Sequence, residues 1–457
     1  MKQSNIIILL TVLMSIVNTK ASAHDIAVKN ADGVTIYYNW YNAGLAVSFK
    51  GTSFKDANSY SGNVIIPESV YYEGKTYSVT KIDSYAFSYC SNLTSITIPN
   101  SVRSIGEYAF VSCFGLTSVS IPGNVTYIRD RSFSYCTGLT SVTIGNGVMS
   151  ILDEVFYGCS KLTSITIPNS VRYIGKNAFK GTAWYDNQPD GLVYLGLVVY
   201  KYKGTIPENT EIVINEETVG VAYGAFSDCS GMSSITIPEN ITSIGAKAFS
   251  GCTGLTSVQI SDIASWCGIA FEEHDVGGFD YCFSNPLFYA KHIYLNGKEV
   301  NDLIIPDGVN SIKRWAFYGC SGLSSVTIPS SVTKIGIHAF DGCSGLTTIY
   351  TYGVEPAELT SNASRTRAYG SWVFEGVDKE NCVLYVPKGS VEKYRDAWGW
   401  FTHIEEMEGT SLSGLATDVK VFDIYNLGGR KVCTTTRSLN GLPKGIYIRN
   451  GKKILIK

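Results

Sequence analysis

The chain has 457 residues, a formal net charge of −2 and 45% hydrophobic residues. That is ample material for a buried core, and the near-neutral balance gives no electrostatic reason to expect nucleic acid or an anionic membrane surface as partner. Thirty tyrosines are the compositional oddity; aromatic-rich polar surfaces suit recognition of proteins or sugars, and the same rings can pack between layers.

In chain order, Met1–Ala23 reads as a secretory signal peptide, with Lys2 at its start, the apolar run Ile6–Val17 and the small-residue site Ala21-Ser22-Ala23. The apolar run is too short to span a bilayer, and no later segment is long and apolar enough to do so. Export is therefore expected, with a mature chain starting near His24. Residues 24–78 are expected to form an N-terminal cap and a first irregular repeat. Val34–Tyr38 and Leu45–Phe49 predict a strand pair about Asn42–Gly44, and Val64-Ile65-Ile66-Pro67 starts a repeating frame stretched by an insert at Tyr71–Tyr77.

The frame is clearest in Leu93–Phe110, "LTSITIPNSVRSIGEYAF". It returns at Leu116–Phe133, Leu139–Phe156 and Leu162–Phe179 in steps of 23 residues, and again at Met232–Phe249 and Leu323–Phe340. Cys90, Cys113, Cys136, Cys159, Cys229, Cys252, Cys320 and Cys343 keep the same period. A period in the twenties with a Leu-x-x-Ile-x-Ile core predicts a leucine-rich repeat solenoid of stacked short parallel strands. Ile96 and Ile98 alternate with Ser95 and Thr97 as in a half-buried strand. Pro99, which lacks an amide hydrogen, ends that strand. Ala109 and Phe110 are expected to enter a tight helical or 3₁₀ turn. Gly115, Gly138, Gly231, Gly254, Gly322 and Gly345 precede the repeat's leucine or methionine, and a left-handed corner is expected there.

The solenoid is placed at 79–408, with excursions at 181–211 and 261–302. In the first, Leu192–Tyr200 predicts a hairpin and Thr182 takes the cysteine slot. In the second, Ser261-Asp262 can cap a short helix carrying Ile263, Trp266 and Cys267, and Ile293–Leu295 with Glu299–Ile305 reads as a hairpin about Asn296-Gly297. Trp372–Phe374 and Val383–Pro387 look like a closing repeat, Val391–Trp398 like a capping helix. Residues 409–418 are a linker and 419–457 a small β-rich module.

No phosphate-binding glycine loop, His-Glu-x-x-His or nucleophile elbow occurs, so neither an enzyme nor a cofactor or metal site is expected. His338, at a variable position before Ala339-Phe340, is expected at the surface. Two accounts of the periodic cysteines stand: a ladder of buried thiols, or bridges between adjacent turns. Cys267 and Cys282 lie outside the period; a local disulfide and packed free thiols are both open for them, and with His274 and His292 their spacing matches no zinc finger.

These marks (Ile-Pro at the strand end, then Ile-Gly, Ala-Phe and Gly-Cys) resemble the BspA-like class of leucine-rich repeats over roughly residues 60–405. The resemblance implies an exported or cell-surface protein acting by binding, as an adhesin for host extracellular matrix or cell-surface proteins. Through Gly445-Ile446-Tyr447 and Lys453–Lys457, the tail resembles a type IX secretion sorting domain. A second reading is glycan capture by aromatic residues of the excursions. The outward Ser118, Ser141, Ser164, Ser120, Thr143 and Thr166 predict a flat hydroxyl ladder without large anchors, so binding is expected to centre on Trp184, Tyr185, Tyr194, Trp266 and Tyr281.

Overall fold

The computed structural model describes residues 24–51, 58–272, 283–360 and 372–407, and the backbone of four strands between Phe422 and Ile456. The signal segment 1–23, the linker 409–418, His274, Tyr281 and Cys282 lie outside the described residues. The chain divides between Lys203 and Gly204 into two compact units, each a stack of repeat turns.

The first unit opens with β1 (Ile26–Lys29), β2 (Thr35–Tyr41) and β3 (Gly44–Ser48), an antiparallel sheet. The expected pair is β2 and β3; β1 adds a third strand. After β4 (Gly62–Ile65), the insert proves to be the turn of an antiparallel hairpin, β5 (Ser69–Tyr72) with β6 (Lys75–Ile82). Strand β3 pairs in parallel with β6, which joins the cap to the repeats.

Each regular turn then supplies a longer strand and a two-residue strand: β7 (Leu93–Thr97) and β8 (Ser104–Ile105), β9 (Ser118–Ile121) and β10 (Tyr127–Ile128), β11 (Ser141–Ile144) and β12 (Ser150–Ile151), β13 (Ser164–Thr166) and β14 (Tyr173–Ile174). Both series pair in parallel with like on like: Val119 beside Val142 beside Ile165, and Ile82, Ile105, Ile128, Ile151 and Ile174 in one row. Between the strands the proline carbonyl accepts the amide three residues on, from Pro99 to Val102 at 3.1 Å and from Pro122 to Val125 at 3.2 Å. The residue that cannot donate thus still holds its corner.

The Ala-Phe segment is not a helix or 3₁₀ turn. Amides of Ala86, Ser88 and Cys90 bond back three residues within the turn, whereas those of Tyr85, Phe87 and Tyr89 bond forward to Glu107, Ala109 and Val111 of the next turn. Tyr85 and Tyr89, which flank this run, sit at φ 63° and 58°, and Tyr108 and Ser112 repeat this at 56° and 58°, whereas Phe87 and Phe110 donate forward without a positive φ. Non-glycine residues in that region are uncommon, and the forward hydrogen bonds compensate for the strain.

Because each turn copies the last, side chains stack on their equivalents. Phe87, Phe110, Phe133, Phe156 and Phe179 form a column with centroid steps of 4.8, 4.8, 5.5 and 5.3 Å. All five are fully buried. The thiols of Cys113, Cys136 and Cys159 donate to the carbonyls of Phe87, Phe110 and Phe133 at 3.0 to 3.1 Å. The periodic cysteines are therefore a buried ladder in which Cys113, Cys136, Cys159, Cys320 and Cys343 are free thiols, and burial pushes the thiol pKa of Cys113 and Cys159 up. Helix α1 (Ala183–Asp186) and the hairpin β15 (Gly191–Leu195) with β16 (Val198–Lys203) close the unit.

The expected left-handed corner is corrected. Gly115, Gly138, Gly231, Gly254 and Gly345 are not among the residues with positive φ. Glycine is needed there because the preceding turn is too near: a Cβ on Gly115 would lie 2.7 Å from the Ser91 oxygen and 2.9 Å from that of Leu93. Lys161 holds the same slot in the turn across the widest step, 5.5 Å. Glycine stands at steps of 5.2 and 5.3 Å in the second unit, where a Cβ on Gly254 or Gly345 would lie closer to the Ser230 and Ser321 oxygens than one on Gly115 would to that of Ser91, so ring spacing does not by itself set the room at this slot.

The second unit repeats the pattern in β17 (Thr210–Val213), β18 (Gly220–Val221), β19 (Met232–Ile237), β20 (Ser243–Ile244) and β21 (Ser257–Ile260). It is then interrupted by α2 (Ile263–Cys267), β22 (Ala270–Phe271) and α3 (Leu287–Ala290) before β23 (Ile293–Leu295). The expected hairpin partner Glu299–Ile305 is split in two. Strand β24 (Lys298–Glu299) turns back on β23, while β25 (Asp302–Ile304) begins a new ladder with no bond to β24. After β25, with β26 (Ser311–Ile312), β27 (Ser325–Ile328), β28 (Lys334–Gly336), β29 (Thr348–Thr351), β30 (Glu358–Thr360) and β31 (Val383–Val386), two series form: β25-β27-β29-β31 and β26-β28-β30. Across the interruption the Trp266 indole donates to the Ala316 oxygen at 2.7 Å, the buried Asn285 amide to that of Trp315 at 2.6 Å, and the Lys313 amide to Cys267 at 2.9 Å.

Helix α4 (Val391–Trp398) covers the last turn, as its sequence predicts: Trp398 and Tyr394 are fully buried, Trp398 against Phe374. An unforeseen strand, β32 (His403–Glu406), pairs with β31. The tail strands β33 (Phe422–Asn426), β34 (Lys431–Thr435), β35 (Gly445–Arg449) and β36 (Lys452–Ile456) form an antiparallel sheet in the order β34-β33-β35-β36.

Candidate binding surface

The outward faces of the longer strands are the broadest regular surface. In the first unit Ser118, Ser141 and Ser164 align in one row, and Ser120, Thr143 and Thr166 in the next. All six are small and uncharged, and five are exposed. The second unit departs from the expectation of a ladder without anchors. Its row runs Ile304, Thr327, Tyr350, Tyr385, with the last two rings stacked at 5.0 Å, and Gln259 is paired with Tyr294. Glu405 beside Tyr385 raises its phenol pKa. Sequence reasoning missed these tyrosines, although the strand frame places Tyr350 in the slot of Thr327.

The first excursion gathers three of the residues expected to bind. Thr182 keeps the cysteine slot while capping α1: its hydroxyl donates to the Phe179 oxygen at 2.8 Å and accepts from the Tyr185 amide at 3.2 Å. Trp184 packs edge-on against Phe179 at 5.8 Å and near Tyr200 at 6.2 Å, ending the phenylalanine column. Tyr185 meets Tyr200 edge-on at 5.5 Å, and partial burial raises its phenol pKa. The Lys203 ammonium donates to the carbonyls of Tyr185, Asp186 and Gln188 at 3.3, 2.6 and 2.5 Å. Trp184, Tyr185 and Tyr194 are each half-buried, so each ring keeps an open edge on a fixed base.

The second excursion does not continue this set. Trp266 is 1% exposed, with its indole N–H bonded to Ala316 and its ring against Phe271; it is a core residue and cannot meet a ligand. The apolar side of α2 faces inward because Asp262 caps the helix, accepting from the Ser265 amide at 2.6 Å. Cys267 is a buried free thiol whose pKa burial pushes up to about 12; Cys282, its suggested partner, and Tyr281 lie outside the described residues. His338 is also corrected. It is half-buried, stacked on Trp315 at 4.1 Å and on Trp372 at 5.5 Å, with Nδ1 2.8 Å from the Asp341 carboxylate.

Other exposed rings lie on regular turns of the first unit. Tyr89, Phe114 and Tyr135 are each about half exposed, and Tyr85 stacks on Tyr108, over which the Arg131 guanidinium sits. Beside β25 a groove of about 390 Å³ is lined by apolar Ile263, Leu295 and Ile304 and by polar Lys298, Glu299 and Asp302. Among the described residues, no group of three His, Cys, Asp or Glu side chains is placed to hold a metal, and no helix is long and apolar enough to cross a membrane.

No curated protein matches the chain. Solved structures similar to it include a leucine-rich cell surface protein from Faecalibacterium prausnitzii, 23% identical over 77% of this chain and 98% of that one, with a TM-score of 0.29. A leucine-rich repeat protein from Bacteroides ovatus is 20% identical over 84% and 100%, TM-score 0.26. The pneumococcal vaccine antigen PcpA is 17% identical over 84% and 100%, TM-score 0.28. The assignment rests instead on the family model for the BspA type leucine rich repeat region, which matches six copies at residues 74–184, 200–276 and 290–364. Those spans are more than half of the chain, which therefore belongs to the BspA-type leucine-rich repeat family.

Proposed function

We propose that this is an exported, cell-surface binding protein, an adhesin whose partner is a protein of the host matrix or of another cell. The observation that supports this most directly is the strand face of each unit: rows of small uncharged hydroxyls in register in the first, and stacked Tyr350 and Tyr385 in the second. A broad, flat, neutral surface with a few aromatic anchors suits another macromolecule better than a small substrate. The half-buried rings of Trp184 and Tyr185, both against Tyr200, add a second anchor cluster in the first excursion, with half-buried Tyr194 on its hairpin.

The test is a binding screen of the purified chain against matrix proteins and a glycan panel. Saturable protein binding supports the adhesin; selective sugar binding instead favours glycan capture by aromatic residues of the excursions, such as half-buried Trp184, Tyr185 and Tyr194. Against the ligand so found, replacing Trp184 and Tyr185 together by alanine should weaken binding more than placing lysine at Thr143 and Thr166. The four-stranded tail is proposed as a sorting module. Deleting residues 419–457 should change surface display in the native cell and leave ligand affinity unchanged; intact display after deletion overturns that role.

A further inference from the structure

Strand β25 is the open end of a ladder. It pairs with β27 alone among the described strands, Leu303 opposite Val326 and Ile304 opposite Thr327. The Asn301 oxygen accepts from the Ser325 amide, and the Ile305 amide donates to Thr327. Backbone groups alternate in direction along a strand. Residues 301, 303 and 305 therefore face β27, and the amide and carbonyl groups of Asp302 and Ile304 face the other way, over the groove of about 390 Å³.

The side chains there are unusual for this fold. In the slot that holds Thr97, Thr236 and Thr327 in the partner strands, ladder-opening strands β4, β17 and β25 carry Ile65, Val213 and Ile304. Ile304 is 63% exposed at the groove wall, beside Leu295 and Ile263. The groove's carboxylates are already engaged: Glu299 pairs with His292 at 2.6 Å, and Asp302 accepts from the Ser325 and Ser324 hydroxyls at 2.6 and 3.2 Å. Glu299 and Asp302 keep their negative charge in these bonds, whereas Lys298, exposed on β24, has no ion-pair partner among the described residues, so its ammonium is the contact left open to an acidic side chain.

We propose that this groove binds an extended peptide segment of a partner protein as an added strand alongside β25, parallel to it as neighbouring turns are. The segment carries alternating aliphatic residues, one packing on Ile304 and Leu295, and an acidic residue meeting Lys298. Main-chain hydrogen bonds to Asp302 and Ile304 supply affinity, and the alternate side chains supply selectivity. Three residues of β25 span about 10 Å, so the recognised core is short. This rests on the reading of the chain as a protein-binding surface protein and names one site for it.

The test uses a phage library of random heptapeptides panned on the purified chain, with the Ile304→Lys chain panned in parallel. Sequences with alternating aliphatics and an acid should be enriched on the wild-type chain only. A synthetic peptide of the enriched sequence should lose at least tenfold in affinity for Ile304→Lys and for Lys298→Glu, while both variants keep the wild-type thermal midpoint. N-methylating the peptide backbone one residue at a time should abolish binding at every second position only. No enrichment, equal binding to the Ile304→Lys chain, or a methylation profile without alternation overturns the proposal; β25 is then simply a short edge guarded by a lysine. If Ile304→Lys binds an intact matrix protein as well as wild type does, the adhesin reading stands and this site alone falls.

Discussion

Replacing Gly115 by alanine tests why the repeat needs glycine before its leucine. Its φ is ordinary, so removing a glycine's freedom from the unfolded chain should by itself stabilise by about 0.4–1 kcal/mol. Against that, the new Cβ would sit 2.7 and 2.9 Å from two carbonyl oxygens of the preceding turn. Both belong to backbone, so relief requires moving the turn itself by a few tenths of an ångström, an overpacking strain of about 1–3 kcal/mol. The net expectation is a loss of roughly 1–2 kcal/mol, seen as a fall of about 2–4 °C per kcal/mol in the melting of a unit this size. The deciding comparison is Gly115→Asn. Asparagine tolerates a left-handed backbone but is larger than alanine, so close approach predicts a loss at least as great, whereas a left-handed corner predicts recovery. Gly308, at φ 91° with nothing within 4 Å of its Cβ position, is the internal control, where asparagine should be milder than alanine. A Gly115→Ala chain that melts higher than wild type, or a Gly115→Asn chain that melts with it, refutes the argument.

Phe133→Ala removes a fully buried ring from the middle of its column and should cost about 3–5 kcal/mol in denaturant unfolding; a loss within error of zero would mean the column bears little of the core. Ser132 is the opposite case. It stands where other turns have Ala86 and Ala109, is fully buried, and its hydroxyl has no partner, so Ser132→Ala should stabilise by about 1 kcal/mol, and an unchanged or lowered melting point contradicts this. Under oxidising conditions Cys136→Ser should leave Cys113 and Cys159 as they are, shielded until the chain unfolds. Alkylation with mass spectrometry reads this, and a thiol newly freed at either position would show that the turns are bridged.

The period in the sequence located the longer strand of each regular turn because each copy must present the same apolar set to its neighbours; the short second strands it marked only as an apolar pair. Ile105, Ile128, Ile151 and Ile174 stack in the structure as they align in the sequence. What the period concealed is the backbone hand of Tyr85 and Tyr108. At those positions forward hydrogen bonds to the next turn accompany a conformation that their side chains do not prefer. The binding residues were harder for a related reason. Trp266 and Trp184 both look like anchors in irregular segments, yet one donates its indole N–H into the core and the other keeps an open edge. Burial in an excursion depends on which turn it folds against, and spacing does not record that. Tyr350 and Tyr385 were legible from the strand frame alone, since the slot of Thr327 points outward.

The break between β24 and β25 has a mechanical consequence for a protein held at one end and pulled at the other. Elsewhere in the second unit, load passes between turns through many backbone bonds acting side by side. At the break no strand pair among the described residues carries it across, and the bonds that do include the Trp266 indole, the Asn285 amide and the Lys313 amide. Neighbour coupling sets how far an opening spreads in a repeat array, so rupture that begins on either side should halt there. One half of the unit can then yield and lengthen under tension while the other keeps its grip.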